Sequence, residues 1–156
     1  MNFLTSLIGQ RIEKIVRHDY DHKFIMDYPL GIHLVLKDNE LGLTIRMAND
    51  EESILVDRES LDDFKFMIQD EIEYGDINEL IDTDKLNEAV GQIITDIELG
   101  QNIIPDALGA NFQMRHPKFK GIKVSTDTLV FGFERTDVDC PILFGNDKFK
   151  KEIMWT

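Results

Sequence analysis

The apolar residues of this chain recur mostly at every second position in short runs, and this spacing restricts the fold more than any other feature. In one run, Leu43, Ile45 and Met47 alternate with the polar Thr44 and Arg46. A period of two places the apolar side chains on one face of a β-strand and does not fit an amphipathic helix. The chain is therefore predicted to fold mostly as antiparallel β-sheet built from hairpins.

Similar runs occur along the rest of the chain and are separated by turns rich in Gly, Pro, Asn and Asp. The candidate strands are a segment from Gly9 to Val16 and residues 24–26, 32–36, 43–47, 53–56, 93–99, 121–125, 129–134 and 142–144. Residues 32–36 with 43–47, and 121–125 with 129–134, are close enough in sequence to form hairpins. About seven or eight strands are expected, in a single domain over residues 1–156.

A segment in the middle of the chain changes to the spacing of a helix. Its apolar residues recur at intervals of three or four positions: Leu61, Phe64, Met67, Ile68 and Ile72. A helix is predicted over residues 60–74, with Ser60 as its N-cap. A second short helix is predicted over about residues 84–90, after a cap at Thr83, and a helical turn over residues 2–8. The predicted fold class is therefore α+β, mostly antiparallel sheet with one or two helices in the middle.

Two parts of the chain repeat each other in the positions of Gly and Ile. The pattern Gly-Gln-x-Ile-x-x-Ile occurs at residues 9–15 and again at residues 91–97. Other pairs with a similar separation are Gly31 and Gly121, Gly42 and Gly132, and Ile54-Leu55 and Ile142-Leu143. These pairs predict two similar β-units that pack side by side and are joined by the helical segment. Chance recurrence of Gly and Ile, which are common in any β-rich chain, is the alternative that the sequence leaves open.

The chain has the features of a protein from a reducing compartment. Cys140 is its one cysteine, so no intramolecular disulfide can form. The first residues lack the basic region of a secretory signal, and no run approaches the roughly 18 apolar residues of a membrane span. We therefore expect a cytoplasmic protein that does not cross a membrane.

Negative charge is concentrated in the middle of the chain. Residues 50–106 hold 18 acidic and 3 basic residues, whereas the remainder holds 12 acidic and 14 basic ones. Recognition of phosphates needs clustered Lys and Arg, so this balance argues against direct binding to nucleic acid or to an anionic membrane. It favours a basic protein partner, a cation, or solubility alone.

The acidic residues on and after the predicted helix would form a negative patch that complements a basic protein. Apolar residues are interspersed with these charges, which favours an ordered surface over a solvated tail. The predicted partner-binding residues are Asp62, Asp63, Asp70, Glu71, Glu73, Asp76, Glu79 and Asp82. A solvated helical face without a partner is the alternative.

Groups that could perform chemistry form no strong pattern. His18 and His22 would share a face on a helix, but their flanks predict strands, so a solvated loop over residues 18–22 is preferred to a metal site. Cys140 lacks the paired spacing of a zinc site and is interpreted as a small buried residue that enters the last strand. The common phosphate-binding and nucleophile motifs do not occur. No catalytic residue, metal ligand or cofactor is therefore predicted.

The chain combines acidity, hairpins and an early Leu-x-Gly-x-x-Ile-x-x-Ile strand from Leu7 to Ile15. In these respects it resembles the immunity proteins of bacterial toxin–immunity systems, including contact-dependent growth inhibition. The resemblance extends over the whole chain. It implies a non-enzymatic toxin inhibitor that binds and neutralises a cognate toxin domain, often a nuclease. A nuclease holds phosphates with Lys and Arg, so it would fit the predicted acidic patch.

Two other function classes are open. Secretion chaperones are also small and acidic, are usually dimeric and bind an effector segment, although the first residues here are too short for their long opening helix. An enzyme or ligand-binding domain would need a pocket that holds a His or Cys with a shifted pKa and a hydrogen-bonded partner. The oligomeric state and such a pocket are the observations that separate these classes from an immunity protein.

Overall fold

Eleven strands in two antiparallel sheets make up about half of the part of the chain that the structure describes. The computed structural model describes residues 2–20, 28–48, 53–69, 75–102, 118–135, 140–149 and 153–156. The strands are β1 (Ile12–Asp19), β2 (Gly31–Leu36), β3 (Gly42–Met47), β4 (Ile54–Glu59), β5 (Asp76–Glu79), β6 (Ile94–Asn102), β7 (Lys118–Phe119), β8 (Gly121–Thr126), β9 (Val130–Glu134), β10 (Ile142–Phe144) and β11 (Ile153–Trp155). The helical elements are α1 (Asn2–Thr5), α2 (Leu61–Gln69) and two 3-10 helices, Lys85–Ala89 and Asn146–Lys148.

Each sheet is built around a meander of four strands. The first sheet has the order β5-β1-β2-β3-β4-β7, and the second has the order β10-β9-β8-β6-β11. An isolated antiparallel bridge between Arg11 and Ile93 joins the two sheets. The predicted hairpins, β2 with β3 and β8 with β9, are confirmed.

The inner faces of the two sheets form the main core. Residues at alternate positions point inward, so that β2 contributes Ile32 and Leu34, and β9 contributes Phe131 and Phe133. All four side chains are fully buried. Burying one such side chain stabilises a fold by about 1.5–3 kcal/mol. The apolar residues that recur at every second position of the sequence are therefore the side chains that point into this core.

The outer face of the first sheet is covered by α2. The helix begins after Ser60, whose Oγ accepts a hydrogen bond from the backbone N–H of Asp63 at 3.1 Å. Phe64 and Ile68 lie one turn apart on the buried side of the helix and pack against Val16 of β1. The predicted helix and its cap are confirmed over α2, and residues 70–74 lie outside the described part of the chain.

Several elements differ from the prediction in their extent. The second helix is a 3-10 helix, and its N-cap is Asp84 rather than Thr83, because the Asp84 carboxylate accepts from the N–H of Leu86. The mostly antiparallel β architecture is confirmed, and of the two helices predicted in the middle of the chain only the first is an α-helix in the described residues. The additional strands, β5, β7 and β11, are two to four residues long, which is too short for a period of two to be recognised. The strand predicted at residues 24–26 lies outside the described residues.

The two sheets are built from one repeated unit. Strands β1-β2-β3-β4-β5 correspond in order and pairing to β6-β8-β9-β10-β11. A helical element precedes the first strand of each unit: α1 precedes β1, and the 3-10 helix Lys85–Ala89 precedes β6. A second helical element lies between the last two strands of each unit: α2 between β4 and β5, and the 3-10 helix Asn146–Lys148 between β10 and β11. Among the described strands, β7 alone has no counterpart.

Hydrogen bonds at the junction of the two units follow the same correspondence. The N–H of Gly9 donates to the carbonyl of Ile94, and the N–H of Gly91 donates to the carbonyl of Ile12, both at 2.7 Å. Gly9 and Gly91 have φ angles of 91° and 88°, a region that glycine alone adopts readily. The strand register also shifts directly after Ile12 and directly after Ile94. Residues 9–15 and 91–97 are therefore a structural repeat.

The predicted correspondence between Gly42 of β3 and Gly132 of β9 is wrong. In the second sheet, Gly132 lies opposite Lys123. The counterpart of Lys123 in the first sheet is His33, and His33 lies opposite Thr44. Gly132 therefore corresponds to Thr44 and not to Gly42. The reason is that the loop between β8 and β9 is two residues shorter than the loop between β2 and β3.

Alanine at Gly9 or at Gly91 is expected to lower the free energy of unfolding by about 1–2 kcal/mol in each case. A Cβ at either position would meet no atom within 4 Å, so the cost comes from the positive φ and not from a steric clash. Chemical denaturation of the variants G9A and G91A measures this loss. Similar losses agree with the repeat, whereas a gain in stability at either position would contradict it.

Candidate functional site

The solvent face of α2 carries an exposed aromatic side chain, Phe66. Phe66 is 57 % exposed, although Phe is among the residues that are most often buried. It lies one helical turn after Asp62 and Asp63, which are both exposed, so the three side chains share the same side of the helix. An exposed aromatic ring beside two carboxylates is a suitable anchor for a basic protein that offers an apolar pocket.

The other predicted binding residues are distributed over different elements. Asp82 is exposed in the turn after β5, next to the exposed Ile81. Asp76 is half-buried at the start of β5, and the carboxylate of Glu79, at its end, lies 2.5 Å from Nζ of Lys14. The remaining three, Asp70, Glu71 and Glu73, lie outside the described residues. The structure thus brings Asp62 and Asp63 together on α2 and places Asp76 and Glu79 at a sheet edge.

Several acidic residues of the middle segment are paired with cations from other parts of the chain. Arg46 forms an ion pair with Glu59, and Nζ of Lys123 lies 4.0 Å from the carboxylate of Glu98. The contact between Lys14 and Glu79 is of the same kind and also lowers the pKa of Glu79. The fold therefore uses part of the acidic segment for its own ion pairs, and the charge available to a partner is smaller than the sequence count suggests.

A buried ion network links β1, β5 and the first 3-10 helix. The Arg17 guanidinium donates to Asp19 at 2.7 Å and to Asp84 at 2.8 Å, and the Asn78 side chain donates to Asp19 at 2.9 Å. Burial alone would lower the pKa of Arg17, but its bonds with the two carboxylates raise it, so the guanidinium remains charged. These groups satisfy one another, and the network is therefore a structural one.

The prediction of a solvated loop over residues 18–22 is wrong at its first two positions. β1 continues to Asp19 because β2 and β5 pair with its end from both sides. His18 and Asp19 are therefore 5 % and 2 % exposed, and Arg17 compensates the charge of Asp19. Tyr20 is 80 % exposed, and residues 21–27 lie outside the described part.

A second buried polar cluster lies between the first sheet and α2. His33 is 1 % exposed, its Nδ1 lies 2.7 Å from Oγ1 of Thr44, and its ring stacks on Phe64 with 5.3 Å between the centroids. The Arg46 guanidinium lies 5.2 Å from the centre of the same Phe64 ring. Arg46 is paired with Glu59, which also accepts a hydrogen bond from Thr44. The cluster therefore connects α2 with three strands.

The hydrogen bonds of this cluster define its protonation states. The Thr44 hydroxyl donates its one proton to Glu59, so we assign the proton of the His33 ring to Nδ1, which donates to Thr44. Burial and the charge of Arg46 lower the pKa of His33 to about 4. Burial raises the pKa of Glu59, against the opposing effects of Thr44 and Arg46. His33 is accordingly neutral at pH 7.

His33 and Thr44 do not form an accessible catalytic site. Thr44 is fully buried beneath α2, so a substrate cannot reach its hydroxyl in this arrangement. The hydroxyl also donates to an acid and accepts from the imidazole, the reverse of a nucleophile that a histidine activates. Cys140 is buried, as predicted, and burial raises the pKa of its thiol to about 12. A thiol with this pKa stays protonated and unreactive at neutral pH.

Metal sites, membrane spans and relatives give no further indication of function. Within the described residues, no group of three or more His, Cys, Asp or Glu is arranged to hold a metal ion. No helix in that part of the chain is both long enough and apolar enough to cross a membrane. Comparisons with protein-family models, with curated proteins and with solved structures gave no match.

Charge and periodicity in the sequence do not identify Phe66 as a binding residue. A signal for it is nevertheless present, because Phe66 is out of phase with the buried stripe that contains Phe64 and Ile68. A large apolar residue on the polar side of a helix is more informative than another acid there. The His33 cluster has no comparable signal, since its members come from four elements.

Proposed function

We propose that this chain, a small acidic α+β domain, is a non-enzymatic immunity protein that binds and neutralises a cognate toxin domain in the cytoplasm. The partner in this proposal is a basic protein, and a nuclease is the class of toxin that fits the charge best. The contact surface is the solvent side of α2 formed by Asp62, Asp63 and Phe66, which we name the α2 face.

The exposure of Phe66 is the observation that carries this proposal. Its ring packs against little of the chain itself. Burial of such a ring against a partner contributes about 1.5–3 kcal/mol. Aromatic side chains surrounded by polar groups are frequently the energetic centre of a protein interface. Phe66 therefore supports a role for α2 in binding that acidity alone does not.

The carboxylates of the α2 face supply the preference for a basic partner. Asp62 and Asp63 attract the Lys and Arg side chains with which a nuclease holds phosphates. The net charge of the chain, −13, adds a longer-range field that accelerates the encounter with a basic protein at low salt. The same field repels nucleic acid and anionic lipid, so both are excluded as partners in this proposal.

Complex formation with the toxin domain encoded by the neighbouring gene tests the proposal. Wild-type chain is expected to form a tight 1:1 complex. Phe66→Ala is expected to weaken it by roughly 10- to 100-fold, because the anchor of the interface is lost. The variant D62K/D63K is expected to slow association and to reduce its dependence on salt. Association and dissociation rates at two ionic strengths measure both effects.

Tyr20→Ala is the matched control for the loss of an exposed aromatic ring. Tyr20 is even more exposed than Phe66 but stands at the end of β1, outside the α2 face, so its removal should leave the affinity unchanged. Absence of any complex with wild-type chain would contradict the proposed function. A complex that neither F66A nor D62K/D63K weakens would place the interface elsewhere.

A further inference from the structure

The two repeated units have different side chains beneath the segments that cover their outer faces. In the first unit, α2 covers His33, and the imidazole stacks on Phe64. In the second unit, the equivalent position is Lys123, whose Nζ lies 5.2 Å from the centre of the Phe149 ring and 4.3 Å from that of Trp155. Phe149 directly follows the 3-10 helix Asn146–Lys148, which is the counterpart of α2, and Trp155 lies on β11, which is the counterpart of β5. α2 therefore lies on a neutral imidazole, whereas residues 146–149 and β11, which we name the C-terminal cover, lie on a lysine side chain.

We infer that α2 is an acid-sensitive cover: protonation of His33 releases α2 from the first sheet, while the C-terminal cover remains in place. This response belongs to the chain alone and goes beyond the proposed function. It can be tested without a partner, so its failure would leave the proposed function untouched.

The immediate surroundings of His33 disfavour a positive charge on its ring. Nδ1 is bonded to Thr44, and Nε2 lies against the backbone of Gly42, where an added Cβ would be 2.8 Å from it. Arg46 already places one cation beside the Phe64 ring on which His33 stacks. Protonation of His33 would put a second buried cation beside the same ring, which is unfavourable in a medium of low dielectric constant.

Other ionisable groups around His33 do not act as direct counter-ions to it. Glu59 is connected to His33 through the Thr44 hydroxyl and is already paired with Arg46. Directly opposite His33, β1 presents the apolar Val16. Further ionisable side chains at strand positions that face α2 are Lys14 and His18 on β1, Asp57 on β4 and Glu79 on β5, and α2 itself carries Asp62, Asp63 and Lys65. His18 is the histidine that any pH experiment must separate from His33.

The direction of the effect follows from proton binding. Burial and Arg46 lower the pKa of His33 to about 4, whereas an unperturbed histidine has a pKa of about 6.5. Between these pH values the released state binds a proton that the covered state does not, so release becomes more favourable as the pH falls. Glu59 acts in the opposite sense just above its ordinary pKa, because its pKa is raised in the covered state. The two effects oppose each other wherever Glu59 is still partly protonated in the covered state, so the net change is the His33 effect less that of Glu59.

Hydrogen–deuterium exchange of the intact chain at pH 7.5 and pH 5 tests this inference. After correction for intrinsic exchange rates, the amides of α2 are expected to lose protection by at most about 30-fold, which is the effect of the His33 pKa shift without the opposing effect of Glu59. The amides of the second unit's cover are expected to keep their protection. Unchanged protection of α2, or an equal loss in both covers, would overturn the inference.

His33→Asn and His18→Gln assign the effect to one histidine. Asn at residue 33 can still donate to Thr44 and does not titrate in this range. The variant H33N should lose the pH response and H18Q should keep it, whereas the opposite result would overturn the inference. If H33N does not fold, NMR titration of the His33 ring in the unaltered chain decides. Protonation must coincide with the loss of α2 protection, and protonation without that loss would overturn the inference.

Discussion

Replacing Arg17 by methionine is expected to lower the free energy of unfolding by about 3–5 kcal/mol, because removing one partner of a buried ion pair leaves the other charge buried without compensation. Methionine keeps much of the apolar stem, so the loss arises mainly from the two carboxylates that remain. Asp19 and Asp84 would stay buried near each other, with Asn78 as a neutral donor to Asp19. The network joins the first unit to the helix that precedes the second, so both units should be affected.

Urea unfolding followed by circular dichroism and by Trp155 fluorescence measures this loss. Lys14→Met is the matched control, because Lys14 stands on the same strand and forms an exposed ion pair with Glu79. Exposed pairs contribute little to stability, so the control should leave the midpoint almost unchanged. Similar midpoints for the variants R17M and K14M would contradict a stabilising role of the buried network.

Phe64→Ala is expected to lower the free energy of unfolding by about 3–5 kcal/mol, the loss seen when a fully buried aromatic ring is truncated. Phe64 is fully buried and packs with Val16 and Ile68. Its ring also contacts His33 and Arg46, so its removal leaves a cavity between α2 and the first sheet. Thermal or chemical unfolding measures the loss, and retention of the wild-type stability would show that α2 contributes little to the fold.

Phe66→Ala provides the control for Phe64→Ala within the same helix. Phe66 is exposed, so its truncation should change the stability by less than about 0.5 kcal/mol. The two variants therefore separate folding from binding: F64A should destabilise the chain, and F66A should weaken the complex while leaving the chain folded. If F66A is as destabilising as F64A, Phe66 is a packing residue and the α2 face has no anchor.

The strands that form the main core could be predicted from the sequence because burial on one face imposes a period of two. The prediction for residues 43–47 lies within β3, and that for residues 142–144 coincides with β10. Short edge strands have no such period. The extent of β1 depends on residues distant in sequence: Asn78 and Asp84 stand 59 and 67 positions from the β1 residues that they bind. Local patterns cannot show that these groups make the end of β1 a buried strand.

Local sequence patterns also could not predict which charges of the acidic segment remain available at the candidate site. Counting charges along the chain treats Glu59, Glu79 and Asp82 alike, but the first is paired with Arg46 and the second with Lys14. Those pairings depend on the folded sheet, since the cations lie outside the segment. The helical spacing did predict which side of α2 is buried, and from that the exposed position of Phe66 follows.

The most direct test of the proposed function measures the toxic activity of the partner domain while the chain is titrated into it. We predict that the activity falls to background at one chain per toxin domain, and that the triple variant F66A/D62K/D63K, shown to be folded, leaves most of the activity at the same ratio. Full toxin activity in an excess of wild-type chain would contradict the proposed function. Undiminished inhibition by the triple variant would contradict the assignment of the α2 face.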